Sequence, residues 1–417
     1  MEVSIPPHFL CPISLDLMKD PVTLSTGITY DRECIERWIQ EGHLTCPVSN
    51  QRLPNFDQIP NHFIRKMIQS WCVENKSYGI ERIPTPRAPV TPFEVSEMCN
   101  RISAAVQRGD RRRCLELVGK VKGLGKESER NRKCIAESGI GGALTLAFEF
   151  FSNNGSLEEN GGVIEDILSV LVWILSRKAE EQSNLGSLAS LQRLACILKK
   201  GSLPARRDAV LLLRKLISSS SEVVNKLLLV EGIAEALCRL IKEPISSPVS
   251  TATMTIILNL IHTSRRCQTN FVEMGLVQVM VDILVDGDKS ICEKALGVLD
   301  ALCDSQEGRC QAYGNHLIVP VLVHRISVAP DLASELSASI LWKLAKNDKR
   351  ERGVIVDLQE LGQRVSLFQM LLVLLQVGCA RDSKEKVKEL LKLLNIQGAS
   401  IRCKGSASDG KYLKVPY

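Results

Sequence analysis

The residues best suited to chemistry sit in two near-identical tetrapeptides, Cys11-Pro12-Ile13-Ser14 and, 35 positions later, Cys46-Pro47-Val48-Ser49. Thiolates at Cys-x-x-Cys spacing fold back onto one tetrahedral metal ion, and two such pairs make a structural zinc site. In both tetrapeptides the second cysteine is a serine, a poor zinc ligand. Between them, Gly27-Ile28-Thr29-Tyr30-Asp31-Arg32 adds no His/Cys cluster that would complete a site. No metal ligation is expected, so other forces must hold the two loops.

The same stretch is dense in donors and acceptors: Ser14, Asp16, Asp20, Asp31, Arg32, Glu33, Glu36 and Arg37. Arginine and carboxylate can cross-link loops through paired charge-assisted hydrogen bonds. The elements that must position these groups are short. Asp20 to Leu24 and Gly27 to Tyr30 read as strands around a Ser25-Thr26-Gly27 turn. Asp31 is expected to cap a helix from Arg32 to Gln40, ended by Gly42, with Ile35, Trp38 and Ile39 on one face. Asn61 is expected to cap a second helix whose apolar positions are Ile64, Met67, Ile68, Trp71 and Cys72. So small a domain is marginal on buried area alone, which raises the importance of its loop hydrogen bonds.

Phe9-Leu10-Cys11-Pro12-Ile13-Ser14, Asp20-Pro21-Val22, Gly27-Ile28-Thr29-Tyr30-Asp31-Arg32, Thr45-Cys46-Pro47 and Ile59-Pro60-Asn61 resemble, in order and interval, the successive motifs of a U-box. The resemblance implies a small α+β, zinc-free RING-like fold that binds a ubiquitin-conjugating enzyme charged with ubiquitin. It implies no cofactor and no covalent intermediate on the ligase. The docking positions it assigns are Ile13, Leu15, Trp38, Pro47 and Asn50. The polar residues that would brace the loops are Ser14, Asp16, Asp20, Asp31, Arg32, Glu36 and Ser49. Some U-boxes carry, at the position of Asn50, an arginine that bonds both the conjugating enzyme and ubiquitin. Here an uncharged amide stands there, with Arg52 two residues on.

The 417 residues allow two or three domains, or one small domain and an extended array. An apolar content of 45% with only 4% aromatic points to aliphatic helical packing. The fifteen cysteines are scattered without any Cys-x-x-Cys, as expected of buried reduced thiols. A net charge of +6 and basic clusters without interleaved aromatics give no basis for nucleic-acid binding. No signal peptide or transmembrane segment is expected. Four prolines between Pro84 and Pro92 favour an extended spacer, in which Thr85 and Thr91 each precede proline and offer sites to a proline-directed kinase.

Beyond Val95 the chain repeats. Matching triplets begin at Ile174, Leu216, Leu260, Leu302 and Leu344, at intervals of 42, 44, 42 and 42, with a second landmark at Gly139, Gly186, Gly232, Gly275 and Gly314. The period and the joint resemble armadillo repeats, which stack into an all-α superhelix with one continuous core. The expected organisation is a U-box over 5–79, a Pro-rich linker over 80–94, six or seven armadillo repeats over 95–397 and a loosely ordered tail over 398–417. A polar loop is expected over Ser152 to Gly162. The position before each triplet is Trp173, Lys215, Asn259, Ala301 and Lys343, with no tryptophan four residues earlier. That pattern speaks against the binding of basic import signals.

The pairing resembles the plant U-box family. It implies a RING-type ubiquitin-protein ligase whose array binds a protein substrate or a regulator such as a kinase, in stress, hormone or defence signalling. The alternative is a non-catalytic armadillo scaffold whose U-box no longer supports transfer. The expected location is cytoplasmic, with nuclear or peripheral membrane association and homo-oligomerisation left open.

Overall fold

The computed structural model describes residues 4–85, 89–155, 157–175, 184–326, 331–346, 367–377 and 381–405. The chain divides into two compact units, 1–92 with 124–134, and 93–123 with 135–417.

In the N-terminal unit, β1 (Pro21–Thr23) is central to a three-stranded antiparallel sheet, with β2 (Thr29–Asp31) on one side and β3 (Ile59–Pro60) on the other. The hairpin between β1 and β2 turns at Gly27, whose φ of 78° suits a residue without Cβ. Val22 faces both Tyr30 and Pro60 across the sheet. Helix α1 (Arg32–Gln40) follows β2 directly, and α2 (His62–Glu74) follows β3. A core of Phe9, Met18, Val22, Tyr30, Ile35, Leu53, Ile68 and Cys72 lies between sheet, helices and loops. Of the apolar positions expected to face this core from α2, Ile68 and Cys72 are buried and Ile64 and Trp71 half-buried, whereas Met67 is exposed.

The start of α2 is built as its sequence requires. Asn61 Oδ1 accepts the Ile64 amide at 3.0 Å, closing the first turn. The same side chain donates from Nδ2 to Thr23 Oγ1 and Thr29 Oγ1, at 3.2 and 3.3 Å, so it ties α2 to both strands of the hairpin. The start of α1 departs from expectation. Asp31 is its N-cap residue but makes no capping bond, because its carboxylate is engaged elsewhere.

The proline-rich segment is less free than an extended spacer. Ile83 is buried against the N-terminal core, and Arg65 donates to the Pro84 carbonyl at 2.9 Å. Val90 donates its amide to Asn131 Oδ1 at 3.0 Å. Helix α3 (Pro92–Gln107) begins inside the segment expected to be linker.

The second unit is helical throughout its described residues. Inner helices α7 (Leu157–Ile174), α9 (Leu203–Ser219), α12 (Ser247–Thr263), α15 (Lys289–Leu302) and α18 (Leu332–Lys346) pack each on the next, and α18 packs on the closing helix α20 (Arg381–Gly405). A parallel series, α8 (Leu188–Lys200), α11 (Ile233–Lys242), α14 (Leu276–Asp286) and α17 (Ile318–Arg325), forms the second layer. Short helices α10 (Ser221–Leu227), α13 (Arg265–Glu273) and α16 (Gln306–Gly314) complete three-helix units. Ser202, Ser220, Ser264, Asp288 and Ser305 cap their helices through side-chain oxygens.

Gly139, Gly232 and Gly275 are left-handed and start α6 (Ile140–Asn153), α11 and α14. Gly186 and Gly314 take no such conformation. Lys199 and Lys242 stitch neighbouring units together by donating to the carbonyls just before two of these joints, Glu231 and Met274. Two expectations are corrected here. The polar stretch from Ser152 is no long loop, since α6 runs to Asn153 and α7 starts at Leu157. The closing helix continues past Gln397 to Gly405, into the stretch expected as loose tail, while 406–417 lie outside the described residues. Ahead of it, α19 (Leu367–Val377) packs on α18 and α20. Among the described residues, no single helix is long and apolar enough to cross a membrane.

Asn61 joins a helix start to both hairpin strands, so Asn61→Ala is expected to cost about 1–3 kcal/mol. Chemical denaturation followed by amide exchange in β1, β2 and α2 checks this. Loss confined to α2 would show that the two threonine bonds contribute nothing.

Candidate functional site

The two tetrapeptides fold into the same loop. In the first, the Cys11 amide donates to the Asp16 carbonyl at 2.8 Å and the Leu15 amide to the Cys11 carbonyl at 2.8 Å. In the second, the Cys46 amide donates to the Gln51 carbonyl at 2.8 Å and the Asn50 amide to the Cys46 carbonyl at 2.9 Å. Each loop is closed by one antiparallel bridge, Leu10 with Leu17 and Thr45 with Arg52. Leu15 and Asn50 occupy equivalent positions and are the two non-glycine residues with positive φ among the described residues, at 60° and 54°. Asparagine tolerates that conformation, whereas leucine is strained in it. Leu15 is 72% exposed, so its strain is repaid by no burial within this chain. Strain of that kind, held on an exposed apolar side chain, is typical of a functional position.

The cysteines that begin the loops are buried, and both sulfurs accept hydrogen bonds from the protein. Cys11 Sγ takes the Asp31 amide at 3.3 Å. Cys46 Sγ meets the Tyr30 hydroxyl at 3.0 Å and takes the Thr26 hydroxyl at 3.5 Å, and Ser49 donates to it as well. Burial pushes the Cys46 thiol up, but the Ser49, Thr26 and Tyr30 donors outweigh it and bring it down to about 6. Burial and the neighbouring sulfur hold the Tyr30 phenol well above its ordinary range. The sulfurs thus take up with protein donors the valence that a metal would use in a Cys-x-x-Cys loop.

Around the first loop the bracing set works unevenly. Asp31 Oδ1 accepts the amides of Lys19 and Asp20, both at 2.8 Å. Burial still raises the Asp31 carboxyl, against those two donors. Arg32 Nε meets Asp20 Oδ2 at 2.7 Å, its amide donates to the Asp20 carbonyl at 3.0 Å, and Nη1 reaches Gln58 Oε1 at 3.2 Å. Ser14 Oγ accepts the Asp16 amide at 3.3 Å. Two of the expected braces act differently. Asp16 contributes its main-chain carbonyl, and its exposed carboxylate holds nothing among the described residues. Glu36 is half-buried and makes no hydrogen bond among the described residues; burial raises its carboxyl and Arg32 pulls the other way. Glu33 and Arg37 form an exposed pair one turn apart, at 3.1 Å, worth about 0.3–0.5 kcal/mol at most.

Among the described residues, no arginine–carboxylate pair reaches the second loop. It is held by Cys46 and by Trp38, whose Nε1 donates to the Thr45 carbonyl at 2.8 Å and whose ring stacks on His43 at 3.9 Å. Ile13, Trp38 and Pro47 are half-buried, and Ile13 and Trp38 also pack on the domain core. Leu15 and Val48 stand out beyond them, and Ser49, Asn50 and Arg52 are exposed. Sequence reasoning missed Thr26, Tyr30, Gln58 and the sulfurs as bracing groups. The two tetrapeptides carried one usable signal, a cysteine with a hydroxyl residue three positions on. Thr85 and Thr91 are both exposed, in the segment before α3.

A small sheet-and-helix domain with paired loops, followed by stacked three-helix units, defines a U-box joined to an armadillo region. The U-box domain family model matches residues 5–77, and the plant U-box protein ARM repeat region matches residues 94–409. U-box domain-containing protein 21 of Arabidopsis thaliana is 42% identical over 417 residues, covering 100% of this chain and 94% of that relative. E3 ubiquitin-protein ligase PUB23, from the same plant, is 32% identical, covering 94% of this chain and 93% of the relative. A designed armadillo repeat protein overlays with a TM-score of 0.45 at 16% identity, covering 60% of this chain and 98% of its own. The chain belongs to the plant U-box family of ubiquitin-protein ligases.

The Cys46 shift gives a pH dependence with a definite sign. In the unfolded chain the thiol keeps its ordinary value of 9.0, and in the folded domain it lies at about 6. Between those values the unfolded state binds the extra proton, so stability rises with pH from 6 to 9 and is lost as pH falls through 6. The slope is at most about 1.4 kcal/mol per pH unit. Cys46→Ser keeps an acceptor but cannot ionise, and should flatten the rise when amide exchange in β1 and β2 is measured across that range. An unchanged slope would place the proton on the sulfur throughout.

Proposed function

We propose that the N-terminal domain docks a ubiquitin-charged conjugating enzyme on Ile13, Leu15, Trp38, Pro47 and Asn50 and promotes transfer of ubiquitin to a lysine of a bound protein. The observation that carries this reading is the pairing of two similarly built loops, with strained, exposed Leu15 on one and half-buried Pro47 on the other, the loop that Trp38 holds at the Thr45 carbonyl. An exposed apolar tip over half-buried shoulders offers a partner a pre-formed grip, so little ordering is needed on binding. The domain then acts by positioning the thioester and favouring its reactive conformation, with no covalent intermediate of its own. Asn50 presents an uncharged donor to the complex, and Arg52, two residues on, supplies a cation to supplement it.

The armadillo array binds the substrate or a regulator, which includes a kinase acting on Thr85 and Thr91. A place in plant stress, hormone or defence signalling, in the cytoplasm, follows from family analogy.

Leu15 offers a clean test because its strain and its docking role pull in opposite directions. Leu15→Gly relieves the left-handed strain, about 1–2 kcal/mol, so the domain should be at least as stable as the parent. In a reaction with activating enzyme, conjugating enzyme and ubiquitin, the same variant should form self-modified ladders at least about tenfold more slowly, equivalent to about 1.4 kcal/mol. Ile13→Ala should do the same, and Met67→Ala, exposed on α2, should not. Undiminished ladders from both loop variants would remove the docking assignment.

A further inference from the structure

Helices α9 and α18 place a lysine at the same register of the array. Lys215 Nζ donates to the Val172 carbonyl at 3.0 Å, and Lys343 Nζ to the Asp300 carbonyl at 2.8 Å, in both cases 43 residues back on the preceding inner helix. The rest of their surroundings differ. Lys343 is buried, and Asp300 Oδ2 and Asp304 Oδ1 complete its ammonium at 2.9 and 2.8 Å. Counting the same offsets back from Lys215 leads to Val172 and Ser176, neither of them acidic. Among the described residues Lys215 meets no carboxylate, and its charged neighbour is Arg214. Burial first, and then Arg214, lower the pKa of Lys215. Among the described residues, this half-buried ammonium with three donors has one carbonyl partner and no anion.

Further along α9 the surface opens into a cleft that begins at Ile217. Ser218 and Ser219 lie one turn further along α9, bonded through their hydroxyls to the Arg214 and Lys215 carbonyls at 2.9 and 2.8 Å. Together with Asn225 and Asn259 they line a cleft of about 400 Å³. Asn259 stands on α12 at the register that Lys215 holds on α9. Its amide spends one hydrogen on the Thr255 carbonyl, at 2.8 Å, which leaves an acceptor and a second donor for a peptide main chain.

We propose that this stretch of the array binds an extended peptide of the substrate or regulator and reads an aspartate or glutamate in it. The peptide carboxylate pairs with Lys215 and Arg214 as Asp300 and Asp304 pair with Lys343, and its main chain meets Asn259 over the cleft. The inference rests on the array being the substrate- or regulator-binding part of the ligase, and it names the charge that part selects. Two inner-helix lysines are thus used differently: Lys343 is satisfied within the fold, and Lys215 is kept for a partner.

The test uses the full chain and three fluorescein-labelled dodecapeptides in which alanine alternates with glutamate, glutamine or lysine, read by anisotropy. The glutamate peptide should bind at least about tenfold tighter than either of the others. Lys215→Met should abolish that preference without moving the melting transition. Lys215→Arg should keep it within about threefold, and Lys120→Met, on an exposed face of α4 (Arg111–Glu127), should leave it intact. If the glutamine or lysine peptide binds as tightly as the glutamate one, or Lys215→Met keeps the preference, the acidic subsite is overturned while peptide binding by the array stands. If none of the three peptides binds, the array reading falls and the subsite with it.

Discussion

Two buried sulfur atoms, each the starting point of a loop, are the constraint on which the N-terminal domain depends. A cross-link is needed there because the domain is too small for its core alone to fix two exposed loops. A metal would supply that cross-link in one step. Here it is divided among an amide on Cys11, three hydroxyl residues on Cys46, and the Asp31 and Arg32 side chains between them. Such a network is all-or-none in character, since each buried polar group left unpaired costs about 1–3 kcal/mol. The loops therefore stay rigid only while the whole set is intact. That rigidity is what allows Leu15 to be held in a strained conformation with its side chain in solvent.

Much of this was legible in the sequence, and the failures have physical causes. The two hairpin strands, both helices and the Asn61 cap follow from local propensity and turn chemistry, whereas the short strand Ile59–Pro60 does not. Cap preference is a local rule, and by it Asp31 is expected to cap α1. In the fold its carboxylate is captured by two amides twelve and eleven residues away, a tertiary demand that no local pattern shows. Asp16 and Glu36 match the braces in residue type, but type does not say where a side chain points. The hydrogen-bonding sulfurs leave no sequence signature, because a cysteine's type suggests either a metal ligand or a small apolar residue.

In the array the repeat period was readable from two landmarks, but the equivalence of Lys215 and Lys343 told nothing about their roles until their partners were seen. The same register carries a lysine paired with two carboxylates in one unit and, among the described residues, a lysine without a carboxylate in another. Stacked repeats permit this, because each unit contacts only its neighbours and can change its exposed face without disturbing the others. The ligase thus combines a small N-terminal domain that holds Leu15 in a strained, exposed conformation with a modular array whose chemistry varies from unit to unit.

The most direct measurement of the central claim is amide hydrogen exchange of Leu15 and Asn50, whose bonds to the Cys11 and Cys46 carbonyls close the two loops. With a strong chelator present, both amides should remain protected in the parent chain and become unprotected in Asp31→Ala and Cys46→Ala respectively. Protection that appeared only when zinc was supplied would contradict the account.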